Sequence, residues 1–198
     1  MASLFPRDPK KLKERLQRYE RELRHEQKLY GGYDDSGGKR YLLGSMYLLL
    51  GDTAGAVKSF KWFETTFPDD SGEPGFWLCW ALALYRAGKT EAALAKLPVA
   101  MLSNLYLIPY LIGQPQPEYD IRHQSNWEEA DYLAYIPPEL FDLWDEPARQ
   151  WVAAQYHGPE LTALREHYLE LEQQLSDTPV GPERTALVKE LSRLRWGE

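Results

Sequence analysis

The side chains with chemistry to offer are four histidines, one cysteine and a short acidic run, and their spacing limits what they can do. His25, His123, His157 and His167 are far apart, and none belongs to a zinc-protease or two-cysteine, two-histidine pattern. Cys79 has no second cysteine to pair with; set between Trp77 and Trp80, it reads as a buried structural thiol. Gly31, Gly32, Gly37 and Gly38 lack the preceding strand and following Lys of a phosphate loop, and no nucleophile elbow is present. Glu128, Glu129 and Asp131 could hold a metal or act as acid and base. They follow Asn126 and Trp127, however, as the first turn of a helix, where acids are favoured by the helix dipole alone. Arg122, His123, Trp127 and Glu128 occupy the least regular loop, so a small-ligand or enzyme site, if one exists, is expected there. The expectation is a non-enzymatic protein with no cofactor and no metal.

The elements that would position these residues are helical. A chain of 198 residues can bury a real core. One cysteine and no leader-like opening predict a cytoplasmic protein. The net charge of −7 is uneven, since residues 1–40 hold eleven Lys and Arg against seven Asp and Glu while the remainder is acidic. The two parts could attract each other, or the basic part could meet an external acidic partner.

From Pro9 to Tyr30 a charged helix carries Leu12, Leu16, Tyr19, Leu23 and Tyr30 as a stripe that needs a partner surface. Glu14, Glu20, Glu22 and Glu26 interrupt its bases, which argues against nucleic acid. Residues 97–117 are uncharged, but Pro98, Ser103, Asn104 and Pro109 break the apolar run well short of the roughly 20 residues a membrane span needs. A helix buried on all sides is expected there instead. Residues 104–158 hold ten of the 26 aromatics and six of the 14 prolines, predicting short helices near 126–135, 138–144 and 146–157. Beyond Pro159, Leu161, Leu164, Tyr168, Leu171 and Leu175, then Leu187, Leu191 and Leu194, predict a helical hairpin turning at Pro179–Pro182. It would either cap the fold or pair with a second copy.

The most regular stretch is Gly37–Asp70. Leu43, Gly44, Tyr47, Ala56, Phe60 and Pro68 have the spacing of two stacked helices, with Gly51 and Asp52 closing one and capping the next. A second unit from Pro74 places Trp77, Ala81, Gly88, Ala93 and Ala100 in similar positions, with Thr90 as the expected cap of its second helix. On these residues, 37–107 resembles the tetratricopeptide repeat family. Arg40 stands where the first repeat would have Trp, Phe63 where it would have a small residue, and Leu97 where the second would have an aromatic. Pro98 should end a helix near Leu97 and start another, because an interior Pro costs about 3 kcal/mol.

The resemblance implies that the first helix of each unit lines a concave groove, here Gly38, Tyr41, Ser45, Leu48 and Leu49, then Gly75, Leu78, Leu82, Tyr85 and Arg86. Tyr41, Ser45, Leu78 and Leu82 replace the Lys and Asn with which chaperone-binding members hold a carboxylate terminus, so that partner is disfavoured. An apolar groove must be covered, either by residues 104–158 or by a partner. The sequence therefore predicts an all-α fold in four parts: an N-terminal amphipathic helix and linker over 1–36, tetratricopeptide-like hairpins over 37–107, a Pro- and aromatic-rich segment over 108–158, and a helical hairpin over 159–198. The expected function is a scaffold or adaptor that binds an amphipathic helix or apolar peptide of a protein partner through Tyr41, Ser45, Leu48, Leu49, Leu78, Leu82, Tyr85 and Arg86. The alternative is a homodimer or larger assembly paired through its heptad helices. Neither nucleic acid nor a membrane span is expected.

Overall fold

The computed structural model describes residues 4–33, 35, 37–121 and 125–196, and these are helical with no strand among them. Asp8 opens α1 (Pro9–Tyr30) by accepting the Lys10 amide on its side chain at 2.9 Å, and Gly31, at φ +67°, closes it. Leu12, Leu16 and Leu23 are buried as the stripe requires, and α1 lies against α2 (Lys39–Leu49). The glutamates of α1, rather than its bases, make this attachment: Lys39 Nζ meets Glu26 at 3.0 Å and Glu22 at 3.3 Å, and the Tyr47 hydroxyl donates to Glu20. The expected attraction between a basic arm and an acidic body is therefore not what seats this helix. Lys10, Lys11, Lys13, Arg18, Arg21, Arg24 and Lys28 remain exposed.

α2 and α3 (Thr53–Thr66) form a tight hairpin. Asp52 caps α3 through the Gly55 amide at 2.8 Å. The close approach is reciprocal, because a Cβ on Gly44 would lie 2.4 Å from the Phe60 ring and one on Gly55 would lie 2.4 Å from the Tyr47 ring. α4 (Pro74–Arg86) packs on both helices and is buried from Pro74 through Leu84, as expected of a helix apolar on every side. Phe60, Trp80 and Trp77 stack in a column, with successive ring centroids 5.5 and 5.3 Å apart.

The second unit departs from a simple hairpin. Its return helix is split into α5 (Thr90–Leu94) and α6 (Leu97–Ser103), the break falling where Pro98 demands it. Lys89, not Thr90, occupies the cap position of α5, and no side chain caps it. Nor is the uncharged stretch one buried helix: Asn104 is extended, and α7 (Leu107–Leu111) begins afresh beyond it. Asn104 is 1 % exposed because its amide is fully used, accepting the Tyr106 N–H at 3.0 Å and donating to the Trp127 and Glu129 carbonyls at 2.6 and 3.0 Å.

The helix expected over 126–135 is two 3-10 turns, Asn126–Glu128 and Ala130–Tyr135, followed by α8 (Pro138–Asp142) and α9 (Glu146–Tyr156). Short helices leave many orphan carbonyls, and arginines satisfy them. Arg149 donates to the Trp144 and Phe141 carbonyls at 2.8 Å each and to that of Leu111, joining α7, α8 and α9. The chain closes with the hairpin of α10 (Pro159–Asp177) and α11 (Pro182–Trp196), which turns near Pro179–Pro182 as expected. Arg184 caps α10 by donating to the Leu175 and Thr178 carbonyls. Both helices pack on α6, and Leu161, Tyr168, Leu171, Leu175 and Leu191 join an apolar core that also holds Leu12, Leu16 and Leu23. The two heptad stripes thus pack largely against their own chain, with Tyr19, Leu164, Leu187 and Leu194 half-buried and Tyr30, at the end of the first, left 75 % exposed. Among the described residues no helix is long and apolar enough to cross a membrane.

Candidate functional site

The face of α2 and α4 expected to line the groove is covered by the chain itself, one of the two coverings considered. Ser45, Leu48, Leu78 and Leu82 are each 2 % exposed or less. Tyr41, Leu49 and Tyr85 are half-buried, and only Arg86 is exposed. Ile136 lies 3.4 Å from where a Cβ on Gly75 would sit, α8 packs against α2, and Trp151 stacks on Tyr85 with ring centroids 4.6 Å apart. The Arg86 guanidinium donates to the Leu143 carbonyl. Four of the eight residues expected to meet a partner are thus buried within the chain: residues 136–151 run along that face, and apolar burial holds them there. Ser45 has an inward role, since its hydroxyl hydrogen-bonds the Cys79 thiol, whose pKa burial pushes up to about 11.

Of the loop residues considered for a small ligand, Arg122 and His123 lie outside the described residues. Glu128 is buried and accepts Arg195 Nη1 from α11 at 2.9 Å. Arg195 also donates to the Tyr168 hydroxyl, and Glu172, 2 % exposed, belongs to the same cluster. Burial raises the Tyr168 pKa and keeps that hydroxyl neutral. Glu128 therefore anchors the 3-10 segment to the last helix.

Trp127 stays at the surface, 38 % exposed, and Tyr135 is 71 % exposed. A 3-10 helix has three residues per turn, so positions three apart share a face. Tyr132 and Tyr135 accordingly lie side by side with ring centroids 6.4 Å apart, and Trp127 stands 6.4 Å from Tyr132 on the other side. Glu129 and Asp131, both exposed, belong to the same turns. This acid-flanked aromatic strip immediately precedes the segment that fills the groove.

A second arrangement escaped the sequence reading. Asp35 caps α2 by accepting the Lys39 and Arg40 amides at 2.8 and 2.7 Å, and its carboxylate also takes Arg40 Nη1 at 3.2 Å. Arg40 Nε donates to Asp70 at 2.8 Å, while the guanidinium lies over the Tyr41 ring at 4.3 Å. Asp70 further accepts the Tyr41 hydroxyl at 2.7 Å and the Gly72 amide at 2.9 Å. Burial alone would raise the Asp70 pKa, but the Gly72 amide, Tyr41 and Arg40 together hold it below the usual carboxylate value. The sequence signal was present in Arg40 itself, a cation at the resemblance's aromatic position, with acids on both sides in sequence.

No protein-family model, curated protein or solved structure matches this chain, so any function must be argued from its own residues.

Proposed function

We propose that the protein is a cytoplasmic, non-enzymatic, tetratricopeptide-like scaffold that binds an amphipathic helix of a protein partner. The groove being self-filled, the partner meets the aromatic strip instead. The supporting observation is exposed Trp127 and Tyr135, with half-buried Tyr132 between them, beside Glu129 and Asp131. Exposed aromatics are concentrated at interface hot spots, where they offer large area at little conformational cost. Glu129 and Asp131 favour an apolar segment flanked by Lys or Arg.

The test compares proteins recovered by the wild type, by a Trp127→Ser, Tyr135→Ser variant, and by Val180→Ser, which changes a more exposed apolar residue in the turn between α10 and α11. A protein recovered by the wild type and Val180→Ser, and lost with the aromatic variant, is the expected result. Loss in high salt would assign the acids their part. Equal recovery by all three overturns the reading.

A further inference from the structure

A cleft of about 250 Å³ opens between α1 and the α2–α3 hairpin. Its floor is Leu23 and Leu43, and its walls are the rings of Tyr33, Tyr47 and Trp62. Tyr33, in the linker after α1, meets Trp62 edge-on at 5.6 Å, which fixes that wall. Gly55 keeps the opposite side clear, since any side chain there would strike Tyr47.

The polar groups around this space are unevenly satisfied. Glu20 accepts the Tyr47 hydroxyl, and that hydroxyl is kept protonated, its pKa pushed up to about 12 by burial and then by Glu20. Arg24 and Lys58 stand at the rim, exposed, and neither is in an ion pair with a described residue. Ser59 lines the interior at 9 % exposure, and its hydroxyl has no hydrogen-bond partner among the described residues. That hydroxyl opens into the cleft, where it is available to a bound molecule.

We propose that this cleft binds a small aromatic carboxylic acid. Its ring lies among Tyr33, Tyr47 and Trp62, its carboxylate reaches Arg24 and Lys58, and a polar ring atom hydrogen-bonds Ser59. The charge follows from the rim, where two exposed cations, neither in an ion pair with a described residue, outnumber the one carboxylate, which accepts the Tyr47 hydroxyl. The size follows from the volume, which is below the roughly 300–1,000 Å³ of pockets for drug-sized ligands. The cleft shares no residue with the aromatic strip, so either proposal can fail without the other.

Indole-3-acetate and its neutral counterpart indole-3-acetamide are the probes, titrated into the full chain while the Trp62 indole N–H is followed by NMR and assigned with Trp62→Phe. The acid should move that signal saturably and bind about fivefold more tightly than the amide, as two exposed ion pairs allow. Lys58→Glu, on an exposed side chain, should erase that preference while leaving amide binding unchanged. Ser59→Ala should weaken both probes about equally. No saturable shift up to about 10 mM acid, equal affinity for acid and amide, or a preference that survives Lys58→Glu would each overturn the proposal.

Discussion

Arg40 Nε donates to the Asp70 carboxylate at 2.8 Å across 30 residues of sequence, tying the start of α2 to the loop that ends the α2–α3 hairpin. The contact closes a network in which Arg40 is shared between Asp35 and Asp70, and Asp70 between Arg40, Tyr41 and Gly72. Replacing Arg40 should therefore leave two partly buried carboxylates without their cation. Arg40→Ala is expected to cost about 3 kcal/mol, in the range for breaking one side of such a pair. Arg40→Trp, which restores the repeat pattern, should be no better, because an indole cannot satisfy either acid. A denaturant double-mutant cycle with Asp70→Ala should give a loss well short of the sum of the two single changes. Additive losses would mean the two residues act separately.

Gly44 supports a sharper steric prediction. A methyl group there would meet the fully buried Phe60 ring at 2.4 Å, and that ring is held between Phe76 and Trp80. Gly44→Ala should cost about 1–3 kcal/mol despite the better helix propensity of Ala. Adding Phe60→Leu should make the Gly44→Ala change cheaper than it is beside Phe60, with urea midpoints as the readout. If Gly44→Ala stabilises the protein, α2 and α3 are not packed this closely.

The parts of the fold that could be read in sequence are those written in local spacing. The ends of α1, the Gly51–Asp52 turn, the break before Pro98 and the turn between α10 and α11 all rest on residues a few positions apart. The rest depends on contacts across long separations. Nothing periodic joins Arg40 to Asp70, Glu128 to Arg195, or Asn104 to the carbonyls of 127 and 129. The 3-10 turns were read as α-helix because acids early in the segment suit either form, whereas their aromatic strip requires the three-residue period. The cleft was equally hidden, since Ser59 is an ordinary helical position until α1 is laid across the hairpin.

The two acids near the hairpin's end should give opposite pH signatures. Glu73 has its pKa raised, by burial first and then by the Asp70 charge. Its ionised form is disfavoured in the fold, so stability should rise slightly as pH falls from neutral toward the ordinary Glu value of about 4.3. Asp70 has its pKa lowered, so its contribution is complete above the ordinary Asp value of about 3.9 and is lost as pH falls through its lower folded value. Thermal midpoints against pH should therefore pass through a shallow maximum on the acid side. Glu73→Gln should flatten the first limb and Asp70→Asn should reduce the slope of the second. A profile unchanged by either variant would remove both groups from the account.

Cys79 should be inert in the native protein. It is fully buried, and its pKa of about 11 leaves little thiolate at neutral pH. Iodoacetamide at mildly alkaline pH should modify it only in denaturant, with mass spectrometry as the readout. Rapid native labelling would place the thiol at the surface.

The filled groove makes the last prediction, because a seal that is part of the core and a plug that comes and goes differ in what they cost to disturb. Ile136 is 6 % exposed and lies against Gly75 at the start of the most buried helix. If residues 136–151 are integral, Ile136→Ala should lower global stability by about 2–4 kcal/mol, as for other buried Ile sites. The urea m-value should stay at its wild-type value, because the same surface is exposed on unfolding. A detachable plug would instead leave the midpoint nearly unchanged, and the variant would bind a hydrophobic dye under native conditions. The Tyr85–Trp151 stack, the Arg86 bond to Leu143 and the Arg149 bond to Leu111 all join this segment to the body, and they argue for the integral case.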